Sequence, residues 1–433
     1  MTTGIPQSER YLRLLYSLLA YLAVPAVMGR LLVRGVKAPG YRRRWRERFG
    51  FPPFEPQTGA IWVHAVSVGE VQAAVPLIRG FLERYPRRTV VVTTTTPTGS
   101  DRVKALLGDS VCHSYLPYDL PGAVRRFLQR VDPALAVVME TELWPNLFAA
   151  CHARAVPLMV VNARLSPRSF RGYRKLRPII TGPLHRAALI LTQTEADAER
   201  FRALGAPVER VRTAGNLKFD QRLPEGVVEE GRGLRQGWGE ERPVWVAAST
   251  HEGEEEQVVR AHRQLLTDFP EALLVLVPRH PERFGVAARV VEDAGFPVCR
   301  RSGGCQPSES AIYLADTMGE LPCLFAAADV AFVGGSLVPT GGHNLLEPAA
   351  LGLPVVTGPH LFNFHEISAL LLEQGGALQV HSGAELGETV SHLFGDPARR
   401  EPMGRKAREA VVANRGARER ILESADRWLA NGS

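Results

Sequence analysis

Residues 332–360, FVGGSLVPTGGHNLLEPAALGLPVVTGPH, decide how the chain is read. Val330, Ala331, Phe332 and Val333 form a buried-strand pattern that runs into Gly334, Gly335 and Ser336. Gly341, Gly342 and His343 then lead into a helix-like run over 344–351, and Gly352 stops it before a second apolar strand at 353–356. Glycine at a strand-to-helix turn lets backbone approach a ligand closely, and the free N–H groups of a helix start favour a phosphate. Asn344 and Glu347 are three apart and share a helix face at that end. A carboxylate there suits a ribose diol, because it accepts from two hydroxyls at once. The same residues equally suit an ordinary βαβ turn, with glycines for geometry and Glu347 placed to favour the helix dipole.

Outward from this stretch, short apolar runs alternate with helical patterns, the signature of parallel sheet. Strands are expected at 244–248, 272–277, 311–314, 330–333 and 354–357, and in an earlier series at 60–66, 89–95, 134–139, 157–162 and 189–192. Residues 219–243 are polar and glycine-rich with no sustained apolar period, which marks 221–243 as an interdomain connection. The charged, helical run 397–430 is able to pack back on the first domain. The expected fold is α/β: two Rossmann-like, doubly wound domains with a cleft between them.

The length of 433 residues fits two or three domains, and 45% hydrophobic with 22% charged residues describes an ordinary globular chain. Residues 14–29, LLYSLLAYLAVPAVMG, are strongly apolar and bracketed by Arg13 and Arg30. From Arg30 to Arg48 follow eight basic residues and one acid. An apolar run with such a flank reads as a single membrane anchor, over 1–36, whose basic side stays cytoplasmic. The formal charge of +7 implies an acidic partner. Its concentration beside the anchor points to anionic lipid rather than nucleic acid. Five scattered cysteines without a C-x-x-C pair argue against a zinc ribbon or disulfide framework. The absence of D-x-D and H-E-x-x-H leaves no sequence support for a metal site.

Polar residues at strand ends are the candidates for chemistry, since doubly wound sheets bind ligands outside the carboxyl ends of their strands. Glu70, in HAVSVGE, is so placed. Ser67 three residues before it also makes a capping box, which competes for the same side chain. Glu140 and Glu142 end another strand in METELWPN, and Lys218 follows a strand pattern in GNLKFD. Five basic residues over 164–175 are a solvated face or a phosphate site. In the second half, Arg279 leaves a strand in VPRHP, where its planar fork would match phosphate. STHE at 249–252 and DTMGE at 316–320 end two more strands.

Taken together, YRRRWRERFG, HAVSVGE, TTTTPTG, ETELWPN, NARLSPRS, GNLKFD, AASTHEGEE, VPRHPERF, DTMGEL and GGSLVPTGGHNLLEPAALGLPVVTGP resemble the bacterial Kdo transferases. These enzymes move 3-deoxy-D-manno-oct-2-ulosonic acid from CMP-Kdo to a lipid A precursor. The resemblance implies a GT-B fold, with an acceptor domain over 37–220 and a nucleotide-sugar domain over 244–433. It also implies an inverting, metal-independent transferase at the cytoplasmic face of the inner membrane, with no cofactor beyond the donor. By position, the family's base falls on Glu70, which reverses the capping preference. Its transition-state-stabilising residues fall on Glu140 and Lys218. Its CMP contacts fall on Pro278, Arg279, Met318, Gly319, Glu320, Asn344, Leu345, Leu346 and Glu347. Two other functions stay open: a GT-B enzyme using a UDP-sugar on another lipid, and a non-catalytic binder of nucleotide sugars or phospholipids.

Overall fold

The structure, a computed structural model, describes residues 7–308 and 310–430. Residues 1–6 of the expected anchor and 431–433 of the expected second domain lie outside the described residues. The chain divides into two compact units, one ending at Gln221 and completed by the chain from Arg415, the other Arg222–Asn414.

In the first unit β1 (Ala60–His64), β2 (Val90–Thr94), β3 (Cys112–Tyr115), β4 (Pro133–Met139), β5 (Leu158–Ala163), β6 (Leu189–Thr192) and β7 (Val211–Thr213) form one sheet. Their order is β3-β2-β1-β4-β5-β6-β7 and every pairing is parallel. Helices on both faces explain why the central strands read as unbroken apolar runs. Along β1, Ile61 and Val63 enter the core under helix Val68–Arg84, while Ala60 and Trp62 enter the opposite one. The buried Trp62 indole donates to Thr93 Oγ1 at 2.9 Å.

Helix Ala417–Leu429 belongs to this unit and inserts Ile421, Leu422, Ala425 and Leu429 into the first core. Asp220 caps its start, accepting from the N–H groups of Gly416 and Arg418 at 2.6 and 2.7 Å. At the other end of the chain, helix Gln7–Lys37 carries a stretch, Glu9–Lys37, long and apolar enough to cross a membrane. Its side chains dock it on the unit: Glu9 pairs with Arg186, Tyr16 donates to Asp119, Ser17 donates to Asn146 Oδ1 at 3.0 Å, and Tyr21 accepts from Gly122.

The second unit holds β8 (Val244–Thr250), β9 (Leu273–Pro278), β10 (Cys299–Arg300), β11 (Ile312–Leu314), β12 (Val330–Val333), β13 (Val355–Thr357) and β14 (Ala377–Gln379). Their order is β10-β11-β9-β8-β12-β13-β14, again parallel throughout. Residues 221–243, which composition suggests as a connection, contain helix Val227–Trp238. Its buried stripe is Val227, Gly231 and Trp238 with Leu234 packed beside it, a helical period hidden because one position is glycine. A Cβ on Gly231 would come within 2.4 Å of the Ala326 side chain, so the close approach of helix Leu321–Ala326 requires it.

Four strands were not expected: β3, β7, β10 and β14. All lie on the outer flanks of their sheets, are two to four residues long and mix polar with apolar side chains. Such blunted edges lack the run of apolar residues that betrays a central strand. The cysteines also depart from expectation at one pair, Cys299 and Cys305, which are disulfide-bonded with Cα atoms 5.5 Å apart.

Candidate functional site

The strand order turns back between β1 and β4 in the first sheet and between β8 and β12 in the second. The loops leaving those strands diverge there and open a crevice at the carboxyl edge. Both reversals carry candidate residues.

In the first unit Glu70 lies in the opening turn of helix Val68–Arg84, directly after β1. Its Oε2 accepts the Val66 N–H at 2.9 Å and its Oε1 accepts from Ser67 Oγ at 3.3 Å. This is not the capping box that the spacing allows, because Ser67 makes no side-chain cap to the helix. Burial raises the Glu70 carboxyl to about 7, and the nearby negative charges of Glu140 and Glu142 push the same way. A carboxyl poised near neutrality is what proton transfer requires.

Glu140 follows β4, next to β1 in the sheet, and holds a left-handed backbone with φ 56°. Asn162, at the end of β5, is left-handed too, with φ 52°. Non-glycine residues in this conformation cost energy and persist where the surroundings fix them. The fixing bonds are visible. Glu140 N donates to Val161 O at 2.9 Å, and buried Asn162 accepts the Leu217 N–H on Oδ1 at 3.0 Å. Through that bond the β5 end holds the short helix Leu217–Asp220, which carries the half-buried Lys218. Glu70, Glu140 and Lys218 therefore all stand at the carboxyl edge of one sheet.

In the second unit the helix expected over 344–351 is only Leu346–Ala350, so Asn344 stands ahead of it. The pairing survives without a shared helix face: Asn344 Nδ2 donates to Glu347 Oε1 at 3.0 Å, and its Oδ1 accepts the Leu346 N–H at 3.1 Å. Burial raises the Glu347 carboxyl, against the opposing pull of Asn344 and of Arg279. Leu345 and Leu346 are buried and seat this turn in the core. Pro278 ends β9, and the exposed Arg279 after it donates its backbone N–H to Thr250 O at 3.0 Å. Around it gather His251, His280 and His343. The rings of His251 and His343 are stacked with centroids 5.0 Å apart and their Nε2 atoms 2.7 Å apart, so one proton lies between them. Burial, with the charge of Arg279 behind it, lowers His343 to about 4.

The DTMGE segment follows β11, which neighbours β9. Met318 is exposed and Gly319 has φ 90°, so backbone is presented there. Glu320 differs from the other candidates, because Arg301 grips its carboxylate at Oε2 with a 2.8 Å bond and Thr317 donates to it as well. The Arg301 bond is the main cause holding Glu320 below the usual carboxylate range. It shapes the loop.

Glu254 was missed by sequence reasoning. It is fully buried and its carboxylate accepts four backbone N–H groups, from His251, Gly335, Ser336 and Leu337, at 2.7–3.0 Å. These bonds tie the loop after β8 to the glycine turn after β12. Within the acidic run HEGEEE nothing local distinguishes it from a solvated helix face. Among the described residues no group of three or more His, Cys, Asp or Glu is arranged to hold a metal ion.

Residues 43–221 match the family described as 3-deoxy-D-manno-octulosonic-acid transferase (kdotransferase). A 3-deoxy-D-manno-octulosonic acid transferase of Haemophilus influenzae is 44% identical over 419 residues, covering 95% of this chain and 97% of the relative. One from Bordetella pertussis is 40% identical over 387 residues, covering 86% and 88%. Among solved structures, UDP-GlcNAc 2-epimerase from Neisseria meningitidis bound to UDP-GlcNAc superposes with a TM-score of 0.58 at 14% identity, over 86% of this chain and all of that one. A glycosyltransferase from Rickettsia africae does so with 0.55 at 11% identity, with the same coverage. The structural likenesses give the fold, GT-B type with two Rossmann-like domains, and the sequence likenesses give the family. The chain belongs to the 3-deoxy-D-manno-octulosonic acid (Kdo) transferases, and it is a glycosyltransferase.

Proposed function

We propose that the chain transfers Kdo from CMP-Kdo to a lipid A precursor, with inversion, at the cytoplasmic face of the inner membrane. The observation that carries this reading is the Glu70 carboxyl, raised to about 7 by burial at the strand-order reversal of the first sheet. There it serves as general base, taking the proton of an acceptor hydroxyl as that oxygen attacks the anomeric carbon of Kdo. The new carbon–oxygen bond forms as the bond from that carbon to the CMP phosphate breaks, and the electron pair leaves with CMP. No covalent enzyme intermediate is needed, which accords with inversion.

Arg279 binds the departing phosphate, since a guanidinium fork offers parallel N–H groups to phosphate oxygens. Glu347, oriented by Asn344, accepts from the ribose hydroxyls. Pro278, Leu345 and Leu346 hold these two in register, and Met318 and Gly319 offer contacts beside the nucleotide. Glu140 and Lys218 balance charge around the reacting centre, the cation offsetting the acids that Glu70 faces. Exposed leucines on helix Gln7–Lys37 and the basic residues after it support attachment to an anionic membrane. Mass spectrometry of the product from purified protein, CMP-Kdo and lipid A precursor tests the reading. A mass gain of one or more Kdo units is expected, and unchanged precursor beside intact CMP-Kdo would overturn it.

A further inference from the structure

A cavity of about 1000 Å³ lies in the first unit, apart from the residues assigned above. Arg42, Arg44, Arg46, Arg126 and Arg130 line it against one acid, Glu47. That carboxylate is already engaged, by both Arg44 contacts at 2.6 and 2.8 Å and by the Tyr115 N–H at 2.9 Å. Arg130 pairs with Glu55 at 3.7 Å, and Arg126 donates to the Phe49 carbonyl at 2.7 Å, which leaves the positive charge of Arg42, Arg46 and Arg126 facing the cavity. Phe51, half exposed, stands between two of them, with Arg46 at 5.7 Å and Arg126 at 4.7 Å from its ring centre. Like charges gathered on one surface raise the local concentration of anions there.

The cavity is joined to the apolar N-terminal helix. Arg42 reaches back to the Leu32 carbonyl at 3.3 Å, and its stem lies on Gly35, where a Cβ would come within 2.3 Å of it. Arg126 also lines a second, smaller cavity of about 290 Å³ with Tyr21, Val24, Pro25 and Leu120. One surface therefore runs from exposed leucines (Leu15, Leu18, Leu22) through an apolar groove to an arginine-rich cavity. That order, apolar then cationic, matches a lipid with acyl chains and an anionic head. Arg126 and Arg130 sit in the second half of helix Pro121–Val131, which leads straight into the first residue of β4. They lie toward the amino edge of the sheet, whereas Glu70 follows the carboxyl edge. Arg44 and Glu47 reach Tyr115 at the end of β3, but Glu70, Glu140 and Lys218 are not among the residues lining the cavity, so its occupant is a lipid of the bilayer beside the N-terminal helix rather than the reacting end of the acceptor.

We propose that this cavity binds the phosphate headgroup of an anionic phospholipid, with the exposed flank of helix Gln7–Lys37 lying in the bilayer interface beside it. The proposal rests on the membrane-attached reading above and adds a defined lipid site to it. The test is sedimentation of the full-length protein with vesicles of phosphatidylcholine alone and of phosphatidylcholine with an equal amount of phosphatidylglycerol. Wild type should prefer the mixed vesicles. Removing one arginine near an anionic surface weakens binding about fivefold, so R42Q/R46Q should lose roughly 25-fold of that preference while keeping its binding to neutral vesicles. R42K/R46K retains the charge and should keep most of the preference. R87Q/K104Q removes the same charge from exposed positions of the same unit outside the cavity and should behave as wild type. Equal losses in R42Q/R46Q and R87Q/K104Q, or an unaltered R42Q/R46Q, would each overturn the proposal. Wild type that binds neutral vesicles without preferring mixed ones removes the lipid site and leaves the membrane reading. Wild type that binds neither removes both.

Discussion

Asn344 and Glu347 are joined by a 3.0 Å hydrogen bond from the amide nitrogen to the carboxylate. The Oδ1 of the same Asn344 accepts the Leu346 N–H, so one side chain sets both the helix start and the direction of the acid. Truncating either nucleotide-binding candidate removes a charged partner, a loss of about 1.5–3 kcal/mol. Glu347→Ala and Arg279→Ala should therefore weaken CMP binding about ten- to a hundredfold, and Asn344→Ala several-fold less. Calorimetry that returned wild-type affinity for both folded charge variants would remove them from the site.

This turn also shows how far the sequence carries. Glycines, buried-strand runs and strand-end acids made both parallel sheets legible, because central strands covered on two faces must be apolar throughout. Edge strands such as β10 were not legible, since two residues ending in an exposed arginine carry no pattern. Helix Val227–Trp238 was hidden by a glycine in its buried stripe. At the candidate site, the placement of Glu70 and Arg279 directly after strands was legible, although local sequence alone left Glu70 as a helix cap. Glu254 was not, because its role comes from four N–H groups, three of them more than eighty residues away in sequence.

Glu254 gives a second prediction. A glutamine there keeps the shape but brings an NH2 group to face backbone donors, leaving buried N–H groups without acceptors. Each such group costs about 1–3 kcal/mol. Glu254→Gln should lower the urea midpoint of unfolding and weaken CMP binding together, while Glu252→Gln, at an exposed neighbour, should change neither. A Glu254→Gln protein as stable as wild type would show that the tie between the two loops is dispensable.

Membrane attachment is testable without deleting the docked helix. Leu15, Leu18 and Leu22 are 54%, 56% and 67% exposed on helix Gln7–Lys37. Replacing all three with glutamate should move the full-length protein from the membrane fraction to the supernatant, because the apolar flank would no longer favour the interface. Retention of the triple variant in the membrane fraction, equal to wild type, would count against this helix as the anchor.

The raised Glu70 carboxyl has a signed consequence for pH. A base must be ionised to act, so kcat/KM should rise with pH and level off above an acid limb near 7. For stability the direction is opposite. With its folded pKa above the ordinary value of 4.5, the native state holds a proton that the unfolded chain has lost between roughly 4.5 and 7. The contribution of Glu70 to stability thus falls as pH rises through that window and is flat beyond it. Comparing wild type with Glu70→Gln in urea across the window should show a steeper decline in wild type, because the variant keeps the other raised carboxyls, Asp119 among them.

Turnover by Glu70→Gln tests the central claim most directly. The amide keeps the size of the side chain and can still accept the Val66 N–H, but it takes no proton at neutral pH. With CMP-Kdo and lipid A precursor, the variant should stay folded, bind CMP as wild type does, and lose about a hundredfold or more in kcat. A stable Glu70→Gln protein that turns over precursor at close to the wild-type rate would contradict the assignment of Glu70 as the base.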